Sequence, residues 1–171
     1  MKYKIEFFDF WHLGSGVSAG AALDALVVKD TDGLPYVPAK TIKGVLREMV
    51  EIIDEEKAKI IFGQEGSNQA KSYFSNATLQ EEEQKALRAN PSLKKHLYDK
   101  ITSTKIDKKS GLALDNTLRE IEVVVPLTLY GEIESQEIAL LKKAMQMVKQ
   151  IGLNRNRGLG RCQISEVKDA N

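Results

Sequence analysis

The stretch LPYVPAKTIKGVLREMVEII, residues 34–53, decides the fold. Pro35 and Pro38 bracket an extended Tyr36-Val37, because a residue that precedes proline is pushed out of the helical region. Past Pro38 the pattern changes. Ile42, Val45, Leu46, Met49, Val50 and Ile53 recur at i, i+3, i+4, i+7, i+8 and i+11. That spacing predicts an amphipathic helix over 41–53, starting just after the proline.

Working outward, strand and helix signals alternate around it. Residues 3–11 are rich in aromatics, with Ile5 and Phe7 in partial alternation, and read as a strand. Residues 12–20, HLGSGVSAG, form a loop whose glycines permit close approach of a ligand to the backbone. A short strand at 25–29 runs into the turn Asp30-Thr31-Asp32-Gly33. On the other side, 54–62 reads as a short helix stopped by Gly63, and 64–76 as polar and irregular. Residues 79–89 form an acidic helix interrupted by Pro91, with one more turn at 92–98. Residues 102–118 are a polar, lysine-rich loop or hairpin, and loops of that length are more often functional than accidental. REIEVVVPLTLY, 119–130, reads as one strong strand, with Pro126 marking an edge position or bulge. A second amphipathic helix spans 136–151, a glycine-arginine loop 152–160 and a last strand 162–168.

This order predicts an α+β fold: a ferredoxin-like, RRM-related antiparallel sheet with helices on one face. The expectation is a single domain over 1–171, with a helical or irregular insert at 64–98 and a thumb-like hairpin at 100–118. Such folds commonly bind RNA on the open sheet face, although a fold alone does not give a function.

Composition narrows the function classes. At 171 residues, 42% hydrophobic and 29% charged, the chain suits one globular domain rather than a disordered one. No apolar run approaches the roughly 20 residues of a membrane span. The first residues hold Glu6 and Asp9 and lack a cleavage site, so no signal peptide and no membrane association are expected. Cys162 is the single cysteine, which excludes an internal disulfide framework and a zinc cluster, and the compartment reads as cytoplasmic.

The net charge is only +1, but the cations are segregated. Lys40, Lys43 and Arg47 are the only charges over 34–47, and Arg155, Arg157 and Arg161 the only ones over 151–162. Lys100, Lys105, Lys108 and Lys109 outnumber Asp107 in the hairpin region. Converging, these segments suit a polyanion; scattered, they are an ordinary mixed surface.

Four features carry candidate chemistry. In Gly152-Leu-Asn-Arg-Asn-Arg-Gly-Leu-Gly-Arg161, three arginines offer planar forks for phosphate. Gly152, Gly158 and Gly160 let backbone N–H groups come close to an anion; the plainer reading is a glycine turn. Lys40, Lys43 and Arg47 form a stripe opposite the apolar helix face, with Lys40 and Thr41 at the helix N-terminus, where an anion is favoured. Asp24 is a lone carboxylate among small apolar residues and suits a helix or turn cap or a catalytic group equally. His12, beside Gly14 and Gly16, has the chemistry of a general base, although a lone histidine of this kind is more often structural. With only His12 and His96 in the chain, a multi-histidine metal site is excluded.

Taken in order, several segments resemble one family. They are His12-Leu-Gly-Ser-Gly, Ala22-Leu-Asp-Ala-Leu-Val-Val-Lys-Asp30, Leu34-Pro-Tyr-Val-Pro and Ile42-Lys-Gly-Val-Leu-Arg47. Thr104-Lys-Ile-Asp-Lys-Lys-Ser-Gly111 follows, then Glu120-Ile-Glu-Val-Val-Val-Pro126 and Asn154-Arg-Asn-Arg-Gly-Leu-Gly-Arg161. The set is similar to RAMP-superfamily proteins, in particular the backbone subunits of type III CRISPR effector complexes. Where that family has Gly-Ser-Ser after the second proline, this chain has Ala39-Lys40-Thr41, which exchanges a hydroxyl contact for a charge.

The resemblance implies a guide-RNA-binding backbone subunit with guide RNA, target RNA and other effector subunits as partners, and head-to-tail self-association. It implies RNA contacts through His12, Lys40, Lys43, Arg47, Lys105, Arg155, Arg157 and Arg161. Asp24 occupies the position at which catalytic members support metal-dependent cleavage of target RNA, with Mg²⁺ as the suited ion. Other readings are a non-catalytic RNA-binding subunit, a guide-processing endoribonuclease using His12, and a ferredoxin-like interaction module.

Overall fold

The computed structural model describes residues 1–16, 23–63, 70–115 and 117–167. The end of the glycine loop expected at 12–20 and the start of the insert expected at 64–98 lie outside the described residues.

The main sheet grows from β1 (Lys2–Phe7), whose alternation buries Tyr3, Ile5 and Phe7 on one face. β1 pairs antiparallel with β5 (Thr128–Glu134) on one side and β6 (Cys162–Glu166) on the other, so that Ile5 faces both Leu129 and Ile164. β2 (Tyr73–Phe74) adds to the far side of β5 and completes the order β2-β5-β1-β6. α1 (Ala39–Ile53) follows β1, and α4 (Ile138–Met147) follows β5. α1 buries Ile42, Leu46 and Val50, and α4 buries Leu141, Ala144 and Met145. These side chains join Tyr3, Ile5, Phe7, Leu129 and Ile133 in one core, so both helices cover the same sheet face. Burying a side chain of this size contributes about 1.5–3 kcal/mol. Two interleaved β-α-β units in this strand order make the ferredoxin-like fold that the periodicity predicts.

The other sheet face presents Lys4, Glu6, Tyr130, Gln163 and Ser165 in register. Lys4 and Glu6 pair with each other at 3.1 Å. Among the described residues this face is mainly polar, with two tyrosines on it, Tyr130 of β5 and the exposed Tyr73 of β2.

Several boundaries depart from the sequence reading. The expected strand at 119–130 is two strands in two sheets. β4 (Arg119–Val124) pairs with β3 (Tyr98–Ser103), and β5 starts only after Pro126. Pro126 has no N–H to give a ladder, and the chain changes sheets there. The expected strand at 25–29 is an extended segment whose residues bridge in turn to Ile121, Gly14 and Pro35. The second strand of the fold instead comes from the insert, as Tyr73-Phe74. The first strand ends at Phe7 rather than Trp11, which bridges to Val124.

α4 stops at Met147, four residues before the expected end, although Val148 and Ile151 are buried at helical spacing. The backbone beyond it is drawn toward the start of β6. Cys162 N–H donates to Lys149 O (2.9 Å) and Ile151 N–H to Gly160 O (2.9 Å). α2 (Glu55–Phe62) matches expectation, with the Asp54 carboxylate accepting Lys57 N–H at 3.0 Å and Gly63 closing it. In the rest of the insert, α3 (Glu81–Ala89) and a 3-10 segment, Pro91–Leu97, hold no buried residue.

Candidate nucleic-acid interface

Asp24 lies at the edge of the two-stranded sheet. Its N–H donates to Glu120 O at 2.8 Å, and its Oδ2 accepts Glu120 N–H at 2.8 Å. The side chain is exposed, and Oδ1 is the oxygen left for a ligand among the described residues. Asp24 is therefore a cap for the start of β4 and an available carboxylate at once.

Around it opens a polar cleft of about 520 Å³, lined by Asp24, Ser103, Thr104, Lys105, Thr117, Leu118, Arg119 and Arg157. Four separate stretches of chain meet there. The segment beginning at 23 brings Asp24, β3 and the residues after it bring Ser103 to Lys105, the entry to β4 brings Arg119, and the C-terminal loop brings Arg157. Thr104 and Thr117 hydroxyls lie 3.0 Å apart, and Lys105 N–H donates to Thr117 Oγ1 at 3.1 Å, which fixes the base of the hairpin. Three cations thus face one carboxylate. Among the described residues Lys105, Arg119 and Arg157 have no acidic partner within ion-pair distance.

The C-terminal loop holds Arg157 through its own backbone. Asn154 at φ 55° and Gly158 at φ 90° flank the single 3-10 turn Arg155–Arg157. Leu153 N–H donates to His12 O (2.9 Å) and Gly160 N–H to Phe10 O (2.8 Å), tying the loop to the segment after β1. A Cβ at Gly152 would overlap the carbonyl oxygen of His12, and one at Gly160 that of Ile151. The close approach those two glycines permit is to the chain's own backbone, while Gly158 faces open space.

The other expected residues are distributed differently. Arg161 pairs with Asp9 at 3.0 Å and lies over the Phe8 ring. Arg47 pairs with Glu51 at 2.7 Å along α1. Lys40, Lys43 and Arg155 have no acidic partner among the described residues, and none of them lines the cleft. At the α1 N-terminus, Ala39 N–H is already taken by Asn76 Oδ1 at 2.8 Å.

His12 is 2% exposed, with Nδ1 2.6 Å from Glu122 O and Nε2 directed at Gly14. The ring supports β4 from beneath instead of standing at the surface with the cations. Cys162 is buried, and burial pushes its thiol up to about 12, which removes thiolate chemistry at neutral pH.

Two features carry no clear mark in the sequence. Arg119 enters the cleft because the hairpin ends where β4 starts, yet in the linear pattern it is only the first residue of an apolar strand. Glu122 is 8% exposed and binds four groups: Val27 N–H at Oε2 (3.1 Å), Lys29 Nζ at Oε1 (2.7 Å), Ala25 O through its own N–H (3.0 Å) and, through its carbonyl, His12. Lys29 in turn sits 4.0 Å from the Tyr98 ring centroid, and Tyr98 donates to Gly33 O at 2.6 Å. Burial, with Glu122 and Asp30 nearby, raises the Tyr98 pKa, so its hydroxyl remains a donor.

A ferredoxin-like sheet with a basic cleft at its inserted hairpin defines the class of domain. Its family follows from the sequence: the profile of the RAMP superfamily matches residues 4–163, and the chain belongs to that superfamily. No curated protein matches the sequence. Among solved structures, the chain is similar to one in the cryo-EM structure of the type III-B Cmr-beta bound to cognate target RNA. The TM-score is 0.74 at 11% identity, over 96% of this chain and 95% of that one. It is also similar to a chain of type III-B Cmr-beta in the apo state, with TM-score 0.72 and 13% identity over 98% and 97%. At such identities the likeness concerns the fold. Among the described residues no helix is long and apolar enough to cross a membrane.

Proposed function

We propose that this chain is an RNA-binding backbone subunit of a CRISPR effector complex of type III, with guide RNA, target RNA and neighbouring subunits as partners. The observation that carries this reading is the cleft, where Asp24 meets Lys105, Arg119 and Arg157 from three other stretches of chain. Membership of the RAMP superfamily and the likeness to Cmr-beta chains, one of them from a complex bound to cognate target RNA, support it. An RNA strand entering the cleft would neutralise its cations with phosphate, and the hydroxyls of Ser103, Thr104 and Thr117 would fix its register.

The same reading assigns Asp24 to cleavage of the bound target. The ribose 2′-oxygen attacks the adjacent phosphorus and the bond from phosphorus to the 5′-oxygen breaks. The products are a 2′,3′-cyclic phosphate and a 5′-hydroxyl, with the nucleophile's proton passing to solvent water and a proton from water reaching the departing 5′-oxygen. Asp24 Oδ1 orients the scissile nucleotide, and Lys105, Arg119 and Arg157 stabilise charge on the phosphate. Among the described residues no three metal-ligating side chains cluster, and Asp24 brings the one carboxylate among the residues lining the cleft. A single carboxylate oxygen of this kind would hold a hydrated Mg²⁺. Bound there, the ion would supply Lewis-acid stabilisation of the phosphoryl oxygens.

A binding subunit without chemistry is the second reading, favoured by the bond from Glu120 N–H that gives Asp24 a structural reason to be present. Asp24→Ala in the assembled complex separates the two. The first reading expects target cleavage to be lost with RNA binding retained. Unchanged cleavage contradicts it and leaves binding alone.

A further inference from the structure

We propose that Glu122 is a positioning residue for the Asp24 carboxylate, acting through the extended segment 24–29; the inference rests on the reading of Asp24 given above. Asp24 is exposed, and among the described residues it is held by the Glu120 backbone. Short extended segments outside a regular sheet open easily unless something fixes their far end. Here Glu122 does so. Its N–H donates to Ala25 O at 3.0 Å, its Oε2 accepts Val27 N–H, and its Oε1 holds the Lys29 ammonium. One residue of β4 therefore grips the segment at 25, 27 and 29, on the strand that binds Asp24 two residues earlier.

The grip is braced on both sides. Beneath it, His12 Nδ1 lies against the Glu122 carbonyl. Across it, Lys29 is caught between the Glu122 carboxylate and the Tyr98 ring. The Glu122 side chain is 11% exposed and Lys29 32%, so water screens the pair less than the surface pairs elsewhere. Glu122 does not line the cleft, and it affects chemistry there only by fixing where Asp24 sits.

The test uses the full chain in its assembled complex, with Glu122→Gln, the double variant Glu122→Gln/Lys29→Met and Asp24→Ala. Glutamine keeps an oxygen for Val27 N–H but loses the charge that holds Lys29. The double variant removes both charges, so no unpaired ion is left to unfold the protein. Two readouts are taken. In hydrogen exchange, the amides of Asp24 and Glu120, which Glu122 does not touch, become less protected in the double variant while those of β1 and β5 stay unchanged. In single-turnover cleavage at saturating target RNA, the rate falls about 10- to 100-fold with RNA affinity unchanged, the signature of a misplaced group. Unchanged exchange at Asp24 and Glu120, or exchange raised across the whole sheet, overturns the proposal. Full cleavage by the double variant, with Asp24→Ala inactive, overturns it while sparing the role of Asp24. Cleavage that persists in Asp24→Ala removes both.

Discussion

The two sheets of this molecule are held by different forces. β1, β5 and β6 lie under α1 and α4 on a dry layer of Tyr3, Ile5, Leu46, Leu129, Ile133 and Leu141, each without solvent exposure. The β3–β4 hairpin is joined to that body through polar groups as well: the Trp11–Val124 bridge, His12 on the Glu122 carbonyl, and Lys29 between Glu122 and Tyr98. The first arrangement resists any change of volume. The second tolerates small displacements but depends on each partner being present. The cleft opens beside the second, where geometry is set by hydrogen bonds and charge.

That contrast is open to attack at several points. The largest effect is expected in the dry layer. Leu46→Ala removes a fully buried side chain and lowers stability by about 2–5 kcal/mol, read by denaturant unfolding, with RNA affinity of the folded fraction retained. Gly160→Ala comes next. At φ 72° and against the Ile151 carbonyl it forces strain of about 1–3 kcal/mol, whereas Gly158→Ala, facing open space, costs less in the same melt. If the two glycine variants melt alike, the loop does not dock as described.

Smaller still are the charge effects. Arg157→Ala weakens RNA binding and lowers the salt slope by about 0.7, as loss of one phosphate contact to a single strand should. Arg161→Ala, whose guanidinium is already paired with Asp9, changes the slope less. The smallest change is expected from Arg47→Ala, which breaks an exposed i, i+4 pair contributing about 0.3–0.5 kcal/mol. Acid also probes the hairpin. The Ser110 hydroxyl and the Lys109 and Ser110 N–H groups hold the Asp107 pKa below its ordinary value. Its contribution is therefore present above that ordinary value and is lost as pH falls through the lowered one. Amide protection at Lys109 and Ser110 should follow that course.

The dry body was the legible part of the sequence. The spacing of Ile42, Leu46 and Val50 and the alternation of Tyr3, Ile5 and Phe7 are local patterns, and burial follows them directly. What escaped was set by distant partners. Tyr73-Phe74 is too short to alternate, and only its pairing with Ile133 and Glu134 makes it a strand. Val148 and Ile151 keep helical spacing outside a helix because the start of β6 takes the backbone there. The arginines of the C-terminal loop read as equals, yet Arg157 reaches the cleft while Arg161 is held by Asp9. Charge shows which residues can bind an anion; only the arrangement of their neighbours shows which are free to do so.

Uptake of RNA by the cleft at Asp24 is tested by fluorescence anisotropy with a labelled single-stranded RNA, titrated at several salt concentrations. The full chain is compared with Lys105→Ala/Arg119→Ala/Arg157→Ala. Salt-sensitive binding by the wild type is expected and, in the triple variant, weaker binding with a slope reduced by about 2. Equal affinity and equal slope for the two proteins would contradict it.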